Sequence, residues 1–269
     1  AQTMTHDAVE EWFAYLARRN RSPNTIRAYR TTIAAYTDMI GDPLTATLED
    51  ADRWWDHVTE TLAIRTQQRT LSCVRSFYNW ATRFDYADRD PTRRLDPPSQ
   101  GQRLPTPIGR ADLKRILDAA PDDMRRAVAL GAYGGLRVAE AASLDWSHVD
   151  METRRIMVHG KGDKQRPVGL GSLLLDELLP ATGGNVVAAG GKPYSASSLQ
   201  RRVNRLIERS GATGTFHNLR ARFVTVALAN GAPLLSVSRA VGHSSPTTTA
   251  IYALTADSDL DLIAEAVSR

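Results

Sequence analysis

The sequence predicts a mainly α-helical protein with a small β-hairpin or sheet, an α+β arrangement divided into two domains. Three observations predict it. Apolar residues recur at spacings of three and four through both halves of the chain. That period gives way to short extended runs around 154–170. A stretch bearing Pro, Ser and Gly at 91–107 separates the halves. With 269 residues and 42% hydrophobic content, the chain suits two packed cores and is too apolar for wholesale disorder.

The first helix is expected over 5–20, where Val9, Trp12, Phe13 and Leu16 share a face. Ser22-Pro23 opens the second, with Ser as the N-cap and Pro at the first helical position. Its apolar face is Ile26, Tyr29, Ile33 and Tyr36, and Gly41 ends it. A third helix starts near Thr47 and carries Trp54 and Trp55. The fourth, roughly 64–84, aligns Leu71, Val74, Phe77, Tyr78 and Ala81. Its opposite face holds Arg65, Gln68, Arg69, Ser72, Arg75, Asn79 and Arg83, with no acid between Thr61 and Phe84. A solvated face usually mixes charge signs. A one-sign stripe suits phosphate contacts, although a plain surface remains open on this feature alone.

Residues 91–107 read as an interdomain linker, because Pro91, Pro97, Pro98, Pro105 and Pro107 block continuation of helix or strand. Beyond it, helices are expected at 110–119 and 122–133. Tyr133-Gly134-Gly135-Leu136-Arg137-Val138-Ala139-Glu140 follows. Arg137 sits between apolar neighbours, so at least partial burial is expected, and a buried guanidinium needs an anion. Glu140 is one such anion. The alternative is that Arg137 waits for a phosphate while Glu140 holds it in place.

Short strands at 155–158 and 166–170 flank Gly160-Lys161-Gly162-Asp163-Lys164, a hairpin turn whose lysine, taken alone, is an ordinary solvated one. A helix at 172–179 and a Gly-rich loop at 182–192 come next. A basic helix at 195–209 carries Arg201, Arg202, Arg205 and Arg209. Helices at 217–230, 234–241 and 246–252 precede an amphipathic tail.

Charge adds a mild pointer. Thirty-four basic and thirty acidic residues give +4 and a pI near 9.4. Residues 1–100 carry net −1 and residues 101–269 net +5. Arg outnumbers Lys thirty to four, a bias that a G+C-rich coding sequence explains for the most part. The single Cys73 lies in an apolar run and has neither disulfide partner nor metal cluster, so a buried structural thiol is expected. No run approaches a membrane span and no signal peptide opens the sequence, so a cytoplasmic, nucleoid-associated protein is expected.

One stretch concentrates chemistry. From His217-Asn218-Leu219-Arg220 to Gly242-His243 and Tyr252, two histidines, an arginine and a tyrosine stand in an otherwise apolar run. A neutral phenol, with a pKa of about 10, is a poor nucleophile. It becomes useful when cations crowd its target and a neighbouring base takes its proton. Read with Arg137 and Lys161, the stretch points to covalent chemistry on a DNA phosphodiester.

These residues also carry a resemblance. The second domain closely resembles the tyrosine recombinases, the phage integrase family. Gly135-Leu136-Arg137 with Glu140 looks like the family's first arginine box, and Gly160-Lys161-Gly162-Asp163-Lys164-Gln165-Arg166 like its hairpin lysine segment. His217-Asn218-Leu219-Arg220 matches its His-x-x-Arg box. Gly242-His243 and Tyr252, nine residues apart, match its last histidine and nucleophile. Ser22-Pro23-Asn24-Thr25 to Arg30 and Arg65 to Trp80 resemble its helical core-binding domain. Two departures stand out. Ala221-Arg222 replaces the His-Thr that often follows the second arginine, and this sequence opens at the core-binding domain, which leaves open whether an arm-binding domain precedes it.

The resemblance implies a helical, SAM-like core-binding domain over 1–90, the linker at 91–107, and a catalytic domain over 108–269 with its tail at 253–269. The two domains would form a C-shaped clamp on DNA. It implies a catalytic set of Arg137, Lys161, His217, Arg220, His243 and Tyr252. Arg137 and Arg220 would clamp the phosphate, each able to donate two hydrogen bonds, and His243 would add another donor. Tyr252 would attack with His217 taking its proton, and Lys161 would protonate the departing 5′-oxygen. The product would be a 3′-phosphotyrosyl link, so religation needs no ATP. No metal and no cofactor are expected.

DNA contacts are assigned to Arg65, Gln68, Arg69, Arg75, Arg201 and Arg205. The expected partners are double-stranded DNA and the chain itself, four protomers on two sites. The tail packs either on a neighbour or on its own domain, and an accessory DNA-bending or directionality protein is a further candidate partner. The leading expectation is an integrase of a phage or mobile element. An Xer-type chromosome-dimer resolvase follows, then a type IB topoisomerase-like enzyme and a DNA-binding protein of this fold that no longer cuts.

Overall fold

The computed structural model describes residues 2–99, 104–160, 165–179, 183–243 and 245–253. The chain divides into two compact units, Ala1–Gln102 and Arg103–Arg269, each with its own core. Among the described residues no helix is long and apolar enough to cross a membrane.

Among the described residues the first unit is built of four helices: α1 (Gln2–Arg18), α2 (Pro23–Ile40), α3 (Leu48–Thr61) and α4 (Ile64–Arg83). Local chemistry sets their starts. The Ser22 hydroxyl accepts from the Thr25 N–H, with Pro23 at the first helical position. Thr47 and Asp50 close a reciprocal capping box at the start of α3. The apolar faces meet in an aromatic core of Trp12, Phe13, Tyr36, Trp54, Phe77, Tyr78 and Trp80, with Cys73 buried among them. Within it Trp12 stacks on Tyr29 at 5.7 Å and meets Phe77 edge-on at 5.5 Å.

The stretch expected to be a linker is partly structural. Thr92 and Leu95 are buried against the first core. The Arg75 guanidinium donates to the carbonyls of Thr92 and Leu95, and the Gln68 amide to Pro98 O at 2.9 Å. Prolines exclude regular structure but not packing, and Leu95 supplied an apolar anchor that a composition reading passes over. At the other end of the stretch, Asn218 donates to Thr106 O at 2.7 Å and Arg222 to Ile108 O at 2.9 Å. The start of the second unit is thus stitched to α10.

The second unit comprises α5 (Arg110–Ala119), α6 (Asp122–Ala132), α7 (Val138–Ser143), β1 (Val149–Asp150), β2 (Arg155–His159), β3 (Gln165–Gly169) and α8 (Ser172–Leu178). After these come β4 (Ala188–Ala189), β5 (Lys192–Pro193), α9 (Ala196–Arg209), α10 (Phe216–Ala229), α11 (Leu234–Val241) and α12 (Pro246–Ala253). Helix α6 is central and packs on α5, α7, α8, α9 and α10. The antiparallel sheet runs β1-β2-β3, pairing Val158 with Arg166 and Ile156 with Val168. The hairpin falls where the sequence places it. The two-residue β1 and the small β4–β5 pair carry too few residues to show a period.

Candidate active site

The site lies where the loop before α7, strand β3, helix α10 and the α11–α12 turn meet. Gly135 shapes the first of these. Its φ of +64° suits glycine, and a Cβ there would fall 2.5 Å from the Phe223 ring of α10. This close approach brings the Gly135 carbonyl to Arg220. Arg220 is buried, 3% exposed, and donates from Nη1 to Gly135 O and from Nη2 to Val241 O, both at 2.6 Å. Its two hydrogen-bond partners are therefore neutral carbonyls. Desolvation, with Arg137 beside it, lowers its pKa to about 10, which leaves it charged at neutral pH.

Arg137 departs from the burial expected of it. Its side chain stays 44% exposed, because it stands at the N-cap of α7 while Leu136 turns into the core. Glu140 holds it twice, accepting from the Arg137 backbone N–H at 2.7 Å and from Nη1 at 3.0 Å. Arg137 Nη2 donates to Gly242 O at 2.6 Å. Glu140 thus holds Arg137 in place without burying it, a contact that both sequence readings contain.

Arg166 is the residue that the sequence reading left out. From β3 it sends Nη1 and Nη2 to the two oxygens of Glu140, each at 2.8 Å, and Nε to Ala240 O at 2.7 Å. Strand alternation gives the missing signal: Arg166 is in phase with buried Val168, so its guanidinium faces inward. Glu140, 6% exposed, therefore serves two arginines, and these hold its carboxyl below its ordinary pKa against the effect of burial. Gly242 (φ +67°) closes α11, and a Cβ there would lie 3.2 Å from Arg166.

That turn delivers His243. Its backbone N–H donates to Ser238 O at 3.0 Å, and its Nδ1 lies 2.8 Å from Oγ1 of the buried Thr249. Burial, then Arg220 and Arg137, push the imidazole down to about 4, so the ring is neutral at pH 7. Tyr252 on α12 is 5% exposed and its ring stacks on His243 at 6.2 Å. Burial raises the phenol, and Arg220 pulls it the other way. His217, in the first turn of α10, is exposed, and its charge bears on His243. Five of the six expected site residues thus gather here. Lys161 lies outside the described residues, as does the tail beyond 253.

Of the expected DNA contacts, Arg65 and Arg69 on α4 and Arg201 and Arg205 on α9 are exposed. Gln68 and Arg75 brace 92–98, as described above. Among the described residues no cluster could hold a metal ion. The guanidinium groups of Arg137 and Arg166 hold the Glu140 carboxylate, and buried Arg220, a phenol and a neutral imidazole stand near them, which leaves positive charge in excess.

Residues 108–258 match the model of the phage integrase family, and residues 9–84 that of the phage integrase N-terminal SAM-like domain. The chain belongs to the phage integrase family. As a tyrosine recombinase it is a site-specific enzyme that cleaves and rejoins DNA through a phosphotyrosine intermediate. It is 29% identical to tyrosine recombinase XerD of Staphylococcus aureus, covering 91% of this chain and 92% of that one. It is 30% identical to tyrosine recombinase XerC of Lactobacillus delbrueckii subsp. bulgaricus, covering 90% and 92%. In fold this recombinase is similar to a lambda integrase dimer bound to a COC′ core site (TM-score 0.77, 17% identity, 92% of this chain and 76% of that one). It is also similar to the XerH recombinase bound to a palindromic difH substrate (TM-score 0.72, 19% identity, 93% and 82%).

Proposed function

We propose that Tyr252 is the nucleophile of this recombinase and that Arg137, Arg220 and His243 bind the scissile phosphate. The observation that carries this is Arg220: a buried cation whose hydrogen bonds go to two carbonyls, close enough to His243 and Tyr252 to bear on both. Glu140 acts on Arg220 only through its charge, its two oxygens being held by Arg137 and Arg166, so the buried cation has no ion pair of its own among the described residues, and an arriving phosphate supplies one. Arg220 and Arg137 each commit two N–H bonds to the protein, and a guanidinium has five.

The phenol oxygen attacks phosphorus while charge grows on the non-bridging oxygens that these donors face. Exposed His217 takes the phenol proton, and Lys161 protonates the 5′-oxygen as its bond to phosphorus breaks. The enzyme is left joined to the 3′-phosphate. Reversal on a partner strand rejoins the DNA.

The partners on this reading are two DNA duplexes and three further copies of the chain, in line with the lambda integrase tetramer bound to a Holliday junction whose fold this chain shares. Arg65, Arg69, Arg201 and Arg205 contact backbone phosphates. The biological role is that of an integrase of a phage or mobile element, in the cytoplasm at the nucleoid. One observation favours an Xer-type resolvase instead: the likeness to XerD and XerC over nearly the full length of both.

Covalent capture tests the proposal. The protein and its Tyr252→Phe variant are incubated with a pool of nicked duplexes, and protein-linked DNA is recovered after denaturation and sequenced. Adducts that need Tyr252 and fall on a narrow set of inverted repeats are expected. Adducts without sequence preference would point to a topoisomerase-like enzyme, and DNA binding without adducts would refute the assignment.

A further inference from the structure

His243 enters the site with one ring nitrogen already committed. Its Nδ1 meets Oγ1 of Thr249 at 2.8 Å, and Thr249 is wholly buried in α12. Among the described residues this hydroxyl has no other hydrogen-bond partner. A hydroxyl carries one proton and two lone pairs, whereas Nδ1 of a neutral imidazole either donates or accepts. If the ring donated, the hydroxyl proton would be stranded in a buried place. If the hydroxyl donates, only lone pairs go unmatched, the milder omission.

We propose that Thr249 is a positioning residue for DNA cleavage: its hydroxyl donates to Nδ1 of His243 and holds the ring in the tautomer whose Nε2–H is presented to the phosphate. The inference rests on the assignment of His243 as a phosphate donor. Its surroundings make the device necessary. Burial first, and then Arg220, Arg137, His217 and Arg166, keep the ring neutral. A protonated ring would donate from both nitrogens whatever Thr249 did, but a neutral one donates only from the nitrogen that holds its proton. The anchored His243 backbone and the ring stacked on Tyr252 leave the tautomer as the remaining freedom.

The test reads the tautomer and the reaction separately. Nitrogen-15 spectra of histidine-labelled full-length protein, with His243 assigned through His243→Asn, are expected to show Nδ1 unprotonated and Nε2 protonated. Thr249→Ser keeps that signature and Thr249→Val loses it. A proton on Nδ1 in the wild type, or an unchanged spectrum in Thr249→Val, would overturn the proposal.

In single-turnover cleavage of a nicked duplex, Thr249→Val is expected to be about three- to tenfold slower, the range that one hydrogen bond supplies. Thr249→Ser restores the rate, and in a His243→Phe background Thr249→Val adds no further loss. A loss of equal size in that background would make Thr249 a packing residue only. Failure of the wild type to cleave at all would instead defeat the underlying reading of the site. The two failures are distinct, because the spectra are taken on the free protein.

Discussion

In the first unit two buried phenols end on one another and on a backbone carbonyl. Tyr36 and Tyr78 share a hydrogen bond of 2.8 Å, and Tyr78 reaches Pro43 O at 2.9 Å, all within an aromatic core. In the second unit Arg137 and Arg166 hold the Glu140 carboxylate with buried Arg220 nearby, beside a small cluster of Ala221, Val224, Val237, Val241 and Tyr252. The first network is neutral and closed, and burial drives both phenols above their ordinary pKa. The second keeps an excess of positive charge. The difference teaches that a satisfied network fixes a core, whereas a network left short of anions forms a site for one.

The largest effect that separates the two regions is expected from Arg220. Arg220→Ala should slow single-turnover cleavage by at least about 10²–10³-fold, the range for loss of one preorganised donor. Arg220→Lys keeps the charge but not the fork to Gly135 O and Val241 O, and should remain strongly impaired. A mild effect from either would remove Arg220 from the centre of the site.

Glu140 comes next. Glu140→Ala strips the carboxylate from two arginines and should lower the unfolding free energy by about 3–5 kcal/mol in urea titrations. In the first unit, Tyr36→Phe removes one hydrogen bond and should cost about 0.5–1.5 kcal/mol, with cleavage by the folded protein unchanged. If Tyr36→Phe proved as damaging as Glu140→Ala, the contrast between the networks would collapse.

A further expected effect is on pH. His243 has a folded value near 4, below its ordinary 6.5. The unfolded chain therefore binds more protons between those values, and stability falls as the pH drops from about 6.5 towards 4. His243→Asn should shallow that fall in DNA-free thermal melts. A steeper fall in the variant would mean that His243 is already charged.

Much of the fold was legible because its signals are local. The Ser22-Pro23 start, the entry near Thr47 and the two hairpin strands all fall where residue chemistry sets them. Packing was less legible. Leu95 and the arginine that reaches it lie twenty residues apart in sequence, so a linker reading of 91–107 could not foresee their contact. Arg137 shows the same limit in reverse, since apolar neighbours in sequence do not bury a side chain placed at a helix N-cap. Arg166 was within reach, because strand alternation already pointed it inward. Which anion it would meet depended on bringing 140 beside 166.

The most direct test of the site is to locate the covalent bond. After capture on a nicked duplex, the adduct would be digested with nuclease and trypsin and the peptides analysed by fragmentation mass spectrometry. A residual nucleotide on Tyr252, through its phenol oxygen, is the predicted result. DNA linked to any other residue, or cleaved without a protein-bound nucleotide, would contradict the assignment of Tyr252 beside Arg220 as the point where DNA is cut.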